Sequence, residues 1–121
     1  MEIQFTVPSD PIPAARPRFS GRHAYQPKRN RDYREVVQAS AREVMNGRAP
    51  MTCEVEVQIS LFRRFKTTAR QFGDLDNHAK AILDALNKIV FADDSQVVRL
   101  VVEKYTSKHD ARAEVTIEGD G

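Results

Sequence analysis

The clearest alternation of apolar and polar positions runs through Cys53, Val55, Val57, Ile59 and Leu61, with Glu54, Glu56, Gln58 and Ser60 between them. A period of two sets the first group on one face of an extended strand and the second on the other. Ile3, Phe5 and Val7 alternate in the same way with Glu2, Gln4 and Thr6, and the prolines at 8, 11 and 13 end this first strand. Tyr33, Val37, Ala41 and Val44 instead recur at helical spacing, which predicts a helix over Asp32 to Asn46 stopped by Gly47. A second helical stripe, Leu75, Ala79, Ile82, Leu83, Leu86, Ile89 and Val90, predicts a helix over 75 to 90 with Asp76, Lys80, Asp84 and Asn87 opposite. Two last strands, Val97 to Tyr105 and Arg112 to Glu118, flank the polar turn at 106 to 110 and are expected to form a hairpin.

From Ala14 to Asn30 neither period is visible, and the segment is expected to be an extended, partly mobile basic loop. The order β-α-β-α-β-β then argues for an α+β fold, one small domain over residues 1 to 121 with two helices packed on a mixed sheet. A chain of 121 residues is long enough to bury about two thirds of its unfolded surface in one core. No apolar run approaches the roughly 20 residues that span a bilayer, and the start lacks a charged segment followed by an apolar one. The expected location is the cytoplasm, with no membrane partner. Cys53 is the one cysteine and falls in the strand alternation, so burial as a small apolar residue is favoured over catalysis. His23, His78 and His109 are far apart and lack zinc-site spacing.

Charge divides the chain. Residues 1 to 72 hold 13 Lys or Arg against 7 Asp or Glu, a balance of +6, and the remainder holds 6 against 10, a balance of −4. Either this is solvated surface charge, or a polyanion-binding surface lies beside a pocket that attracts cations. Arg16, Arg18, Arg22, Lys28, Arg29 and Arg31, with Arg63, Arg64, Lys66 and Arg70, are the candidates for phosphate contact. Phe19 and Tyr25 either stack on bases or anchor their loop to the core.

The acidic positions cluster at the two ends of the second predicted helix, Asp74 and Asp76 at one and Asp93 and Asp94 at the other. They are either helix caps and turn residues or ligands for a hard divalent cation. An EF-hand is excluded, because Ala79 stands where its loop requires Gly. Lys80, one turn after Asp76, is placed either to meet a scissile phosphate or to pair with Asp76 or Asp84.

Asp74-Leu75-Asp76-Asn77-x-x-Lys80, then Asp84-Ala85-Leu86, then Asp93-Asp94-x-Gln96-Val97, closely resembles the RusA family of Holliday junction resolvases. The likeness spans most of the chain, and residues 73 to 97 are its specific part; Arg16-Pro17-Arg18-Phe19 looks like phage-borne members. It implies a homodimeric, Mg²⁺-dependent endonuclease, with Mn²⁺ as substitute, that resolves four-way DNA junctions by paired nicks in recombination and repair. By position, Asp74, Asp76 and Asp94 look like the metal-binding carboxylates and Lys80 like the catalytic lysine; the family pattern favours the second residue of the Asp93-Asp94 pair. The link from helix to that pair, Ile89 to Ala92, is a residue shorter than the family pattern leads one to expect.

A straight helix over 75 to 90 holds its ends about 20 Å apart, too far for one metal. Either the helix is shorter or bent, or Asp94 comes from the partner chain of a two-fold dimer. Two readings compete with a resolvase: a non-catalytic basic nucleic-acid-binding module, and a metal-dependent nuclease for another branched DNA or for RNA.

Overall fold

The computed structural model describes residues 1–15, 18–20, 23–25, 27–64 and 72–120. In chain order its elements are β1 (Glu2–Val7), β2 (Arg18–Ser20), β3 (His23–Tyr25), α1 (Lys28–Met45), β4 (Val55–Arg64), α2 (Leu75–Leu86), β5 (Val97–Ser107) and β6 (Arg112–Gly119). One 3-10 turn, Asp94–Gln96, precedes β5. The alternating strands became β1 and β4, and two helices pack on a four-stranded mixed sheet of order β1-β6-β4-β5.

β4 is central. Its Ile59 pairs with Val102 of parallel β5 on one side and with Val115 of antiparallel β6 on the other. The expected hairpin between β5 and β6 is therefore wrong, because β4 lies between them. Residues 108 to 111 instead cross two strand spacings, about 10 Å, over the end of β4. A turn signal marks where the chain reverses; the strand with the most apolar inward face takes the place where both edges are paired.

The segment expected as a loop holds the short antiparallel ribbon of β2 and β3, whose three-residue strands are too brief to display a period. α1 starts four residues earlier than expected, directly after Pro27, which fixes its own φ near the helical value. It ends where Asn46 and Gly47 both take positive φ, 50° and 79°, and the Asn46 N–H donates to the Arg42 carbonyl. α2 is shorter than expected. At Lys88 the backbone turns left-handed, φ 68°, and its N–H donates to the Phe91 carbonyl. Val90 and Phe91 are still fully buried, since this turn folds back on Met51: the Met51 N–H donates to Val90 and the Ala92 N–H donates to Met51.

Both helices cover one face of the sheet, α1 against β1 and α2 against β5, and they pack on each other. Ile3, Val7, Val57, Ile59, Leu61, Val115 and Ile117 of the sheet meet Val37, Ala41, Ile82 and Leu86 of the helices, all 3% exposed or less. Truncating Ile82 to Ala there would cost about 2–5 kcal/mol. Cys53, just before β4, is half-buried against this core. Parallel strands require a crossover; α2 is that crossover, so its head emerges beyond the C-terminal end of β4.

Candidate metal centre

The chain reaches the head of α2 through Phe72, Gly73 and Asp74. Gly73 has φ 94°, a backbone state that disfavours any side chain. Asp74 occupies the N-cap position with extended backbone, yet its side chain makes no cap hydrogen bond. Asp76 accepts from the adjacent Asn77 N–H at 2.9 Å, and both carboxylates are exposed. Among the described residues Lys80, also exposed, joins no ion pair, so of its two readings the pairing with Asp76 or Asp84 is not taken. Asp84, one further turn along, is half-buried.

His78 holds this head in place. It is 1% exposed, and among the described residues it is the one polar or charged side chain classed with the buried core. Its Nε2 lies 2.6 Å from the Phe72 carbonyl, which as an acceptor requires that nitrogen to carry the proton. The ring sits edge-on to Phe72, centroids 5.4 Å apart, and the His78 N–H donates to the Asp74 carbonyl. Burial, followed by the nearby cations Arg63 and Lys104, pushes its imidazole below its ordinary pKa. A Cβ on Gly73 would lie 3.3 Å from His78 Nε2. The Lys104 ammonium reaches the Gly73 carbonyl at 3.4 Å and lies over the Phe72 ring. By spacing alone His78 is only a poor zinc ligand. Its place on the apolar stripe, three residues after Leu75 and four before Ile82, is the signal that marks it as buried.

The other acidic end is arranged differently. Asp93 caps the 3-10 turn by accepting from the Ser95 N–H at 2.9 Å, while Gln96 Oε1 accepts from the Asp93 N–H, a complete capping box. The Ser95 hydrogen bonds hold the Asp93 carboxyl below its usual range. Gln96 Nε2 also donates to the Met51 and Cys53 carbonyls. Asp94 is left half-buried on this turn. Val97 pairs with Val55 at the start of β4, whereas Gly73 is reached from Lys104, seven residues along β5. The 12 residues of α2 cover about 18 Å. Asp94 and the Asp74–Asp76 pair thus sit at opposite ends of one protomer.

A family model described as Endodeoxyribonuclease RusA matches residues 8–118, from the end of β1 almost through β6. The chain belongs to the RusA family. A relative in Bacillus subtilis (strain 168), the "Uncharacterized protein YqaN", is 31% identical over 137 residues, covering 95% of this chain and 94% of that protein. RusA membership implies an endodeoxyribonuclease that resolves Holliday junctions, acting on branched DNA.

The donor set at the RusA head suits a hard cation. Asp74 offers a carboxylate that makes no cap bond and Asp76 one that accepts from the Asn77 N–H through Oδ1 alone, and Mg²⁺ characteristically takes one or two carboxylates plus waters and substrate phosphate. Among the described residues of one protomer no three His, Cys, Asp or Glu side chains gather as a metal cluster. Of the expected DNA contacts, Lys28 pairs with Asp32 at 2.9 Å at the start of α1, with Arg29 and Arg31 exposed beside it. Arg63 lies over the Phe72 ring, 5.5 Å from its centroid, and Arg64 is exposed at the end of β4. Arg16, Arg22, Lys66 and Arg70, and the side chains of Arg18, Phe19 and Tyr25, lie outside the described residues. No helix among the described residues is long and apolar enough to cross a membrane.

Proposed function

We propose that this RusA protein is a homodimeric, Mg²⁺-dependent resolvase, accepting Mn²⁺, that cuts four-way DNA junctions by paired symmetric nicks in recombination and repair. The reading is carried by Asp74: a carboxylate in the position where it would cap a helix makes no cap bond, and so stays available beside Asp76. These two hold the cation. When bound, it supplies a hydroxide nucleophile at neutral pH and offsets charge on the leaving oxygen. Lys80 sets its ammonium against the scissile phosphate, and the basic residues named above hold the backbone in register without reading bases.

Asp94 completes the site from the partner subunit in this reading, since the length of α2 separates it from Asp74 and Asp76 within its own chain. The outer strand β5 supplies a surface for such a dimer. It is 11 residues long, is paired on one side only among the described residues, and exposes Val98 and Leu100 at 58% and 42%, four and six residues after Asp94. A long apolar edge of this kind invites pairing with another chain. A two-fold dimer also provides two equivalent sites for two nicks.

The test is cleavage of a labelled four-way junction and a matched linear duplex, with and without Mg²⁺, by wild type and Asp76→Asn. Paired nicks confined to the junction, and lost without metal or in the variant, are expected. Metal-indifferent binding with no cutting would replace the nuclease with a binding module. Mixing Asp76→Asn with Asp94→Asn protein tests the shared site: a heterodimer then holds one intact site and regains single nicks. Persistent inactivity after verified subunit exchange would place Asp94 elsewhere.

A further inference from the structure

Between the first turns of α1 and the middle of α2 lies a cleft of about 200 Å³, walled on its third side by residues 12 to 15. That wall is tied to both helices, by the Ala14 N–H donating to the Asn77 carbonyl and by Asn30 Nδ2 donating to the Pro13 carbonyl. Arg31, Arg34 and Lys80 line the cleft against the single carboxylate of Asp84, a net charge of +2. Among the described residues none of the three cations is ion-paired. Tyr33 lines it too, is 4% exposed, and its buried hydroxyl has no hydrogen-bond partner among the described residues.

A buried hydroxyl without a partner is uncommon and asks for a reason. α1 adds to the same field, for its N-terminus has neither a side-chain cap nor an acidic residue in its first turn. Excess positive charge, a fixed wall and an idle donor together describe an anion site.

We propose that this cleft holds a non-scissile backbone phosphate of DNA, with Arg31 and Arg34 supplying charge and the Tyr33 hydroxyl donating to a phosphate oxygen. The proposal rests on the nuclease reading for the identity of the anion as DNA. Lys80 forms the rim shared with the Asp74–Asp76 head, so a strand cut at that head continues into the cleft. Asp84 repels the same phosphate and limits the site to the side lined by the two arginines. Burial keeps the Tyr33 hydroxyl protonated and hence a donor throughout the working range. The hydroxyl is buried, so its contact with the phosphate requires a local opening of the cleft.

The experiment measures junction binding by the full-length protein without divalent metal, as a function of salt, with cleavage in Mg²⁺ scored in parallel. Arg34→Ala is expected to bind about tenfold more weakly and to lower the log–log salt slope by about 0.9, one phosphate contact. Tyr33→Phe, which removes no charge, is expected to bind roughly fivefold more weakly with the slope unchanged. Its melting temperature should equal or exceed that of wild type, because the ring packs as before and the idle hydroxyl is gone. Neutralising backbone phosphates one at a time as methylphosphonates locates the contact: one position should weaken wild type and leave Arg34→Ala unaffected, and it should not be the phosphate that is cut. Wild-type affinity and slope in both variants would overturn the proposal while leaving the nuclease intact. So would coincidence of that position with the cut. Failure of wild type to bind the junction overturns the nuclease reading and the subsite with it, whereas binding without cutting overturns the nuclease reading alone.

Discussion

Asp74 and Asp93 are the same residue in the same local position, the N-cap of a helical segment, and they are used in opposite ways. Asp93 accepts a backbone N–H, is answered by Gln96, and closes its turn completely. Asp74 caps nothing, and the work of holding its helix head passes to His78, whose ring anchors Phe72 and whose N–H anchors Asp74. A cap position left unused sacrifices stability. Such departures from local consistency concentrate where function needs the group free.

The strongest way to break this contrast is Asp76→Asn. It should lower junction cleavage by about 10²–10³-fold or more while leaving the denaturation midpoint unchanged; a large loss of stability would make the head structural. His78→Ala comes next, expected to cost about 2–4 kcal/mol in urea denaturation through a lost buried hydrogen bond and a cavity. The pH response of the two ends separates them further. His78 has a folded pKa below its unfolded value of 6.5, so the unfolded chain takes up the proton first as pH falls. Stability should therefore be full above about pH 6.5 and decline below it, a slope that His78→Gln removes. Asp93 has a folded pKa below 3.8, so its contribution is present above that value and is lost only as pH falls through the lower, folded one. Smallest of all, Asp93→Ala should lower the melting temperature by a few degrees, whereas Asp74→Ala should leave it unchanged.

Much of this arrangement was legible beforehand for identifiable reasons. The alternation through β4 is clean because one face of that strand is buried along its length, and the carboxylate spacing at residues 74 to 80 is local, so both survive reading from sequence. Local signals failed where distant partners decide. Ile89 and Val90 continue a helical stripe, but they lie in a turn that Lys88 bends, where Val90 is buried and accepts from the Met51 N–H. Thr106 to Asp110 mark a reversal without telling that β4 intervenes. β2 and β3 carry three residues each, below the length at which a period exists. His78 hid within the motif because its role is to bond a carbonyl six residues upstream.

The placement of β6 also bears on how the protein is made. β6 is made after the other strands described here, yet it enters the middle of the sheet, pairing β1 on one side and β4 on the other. Until residues 112 to 119 are synthesised, β1 lacks its partner in the sheet and β4 presents a bare edge, so β1 and β6 must find each other across more than 100 residues. Such distant pairing is slow to form. A chain still lacking β6 should therefore be incapable of ordered cutting, because the sheet that carries both acidic ends is not yet assembled.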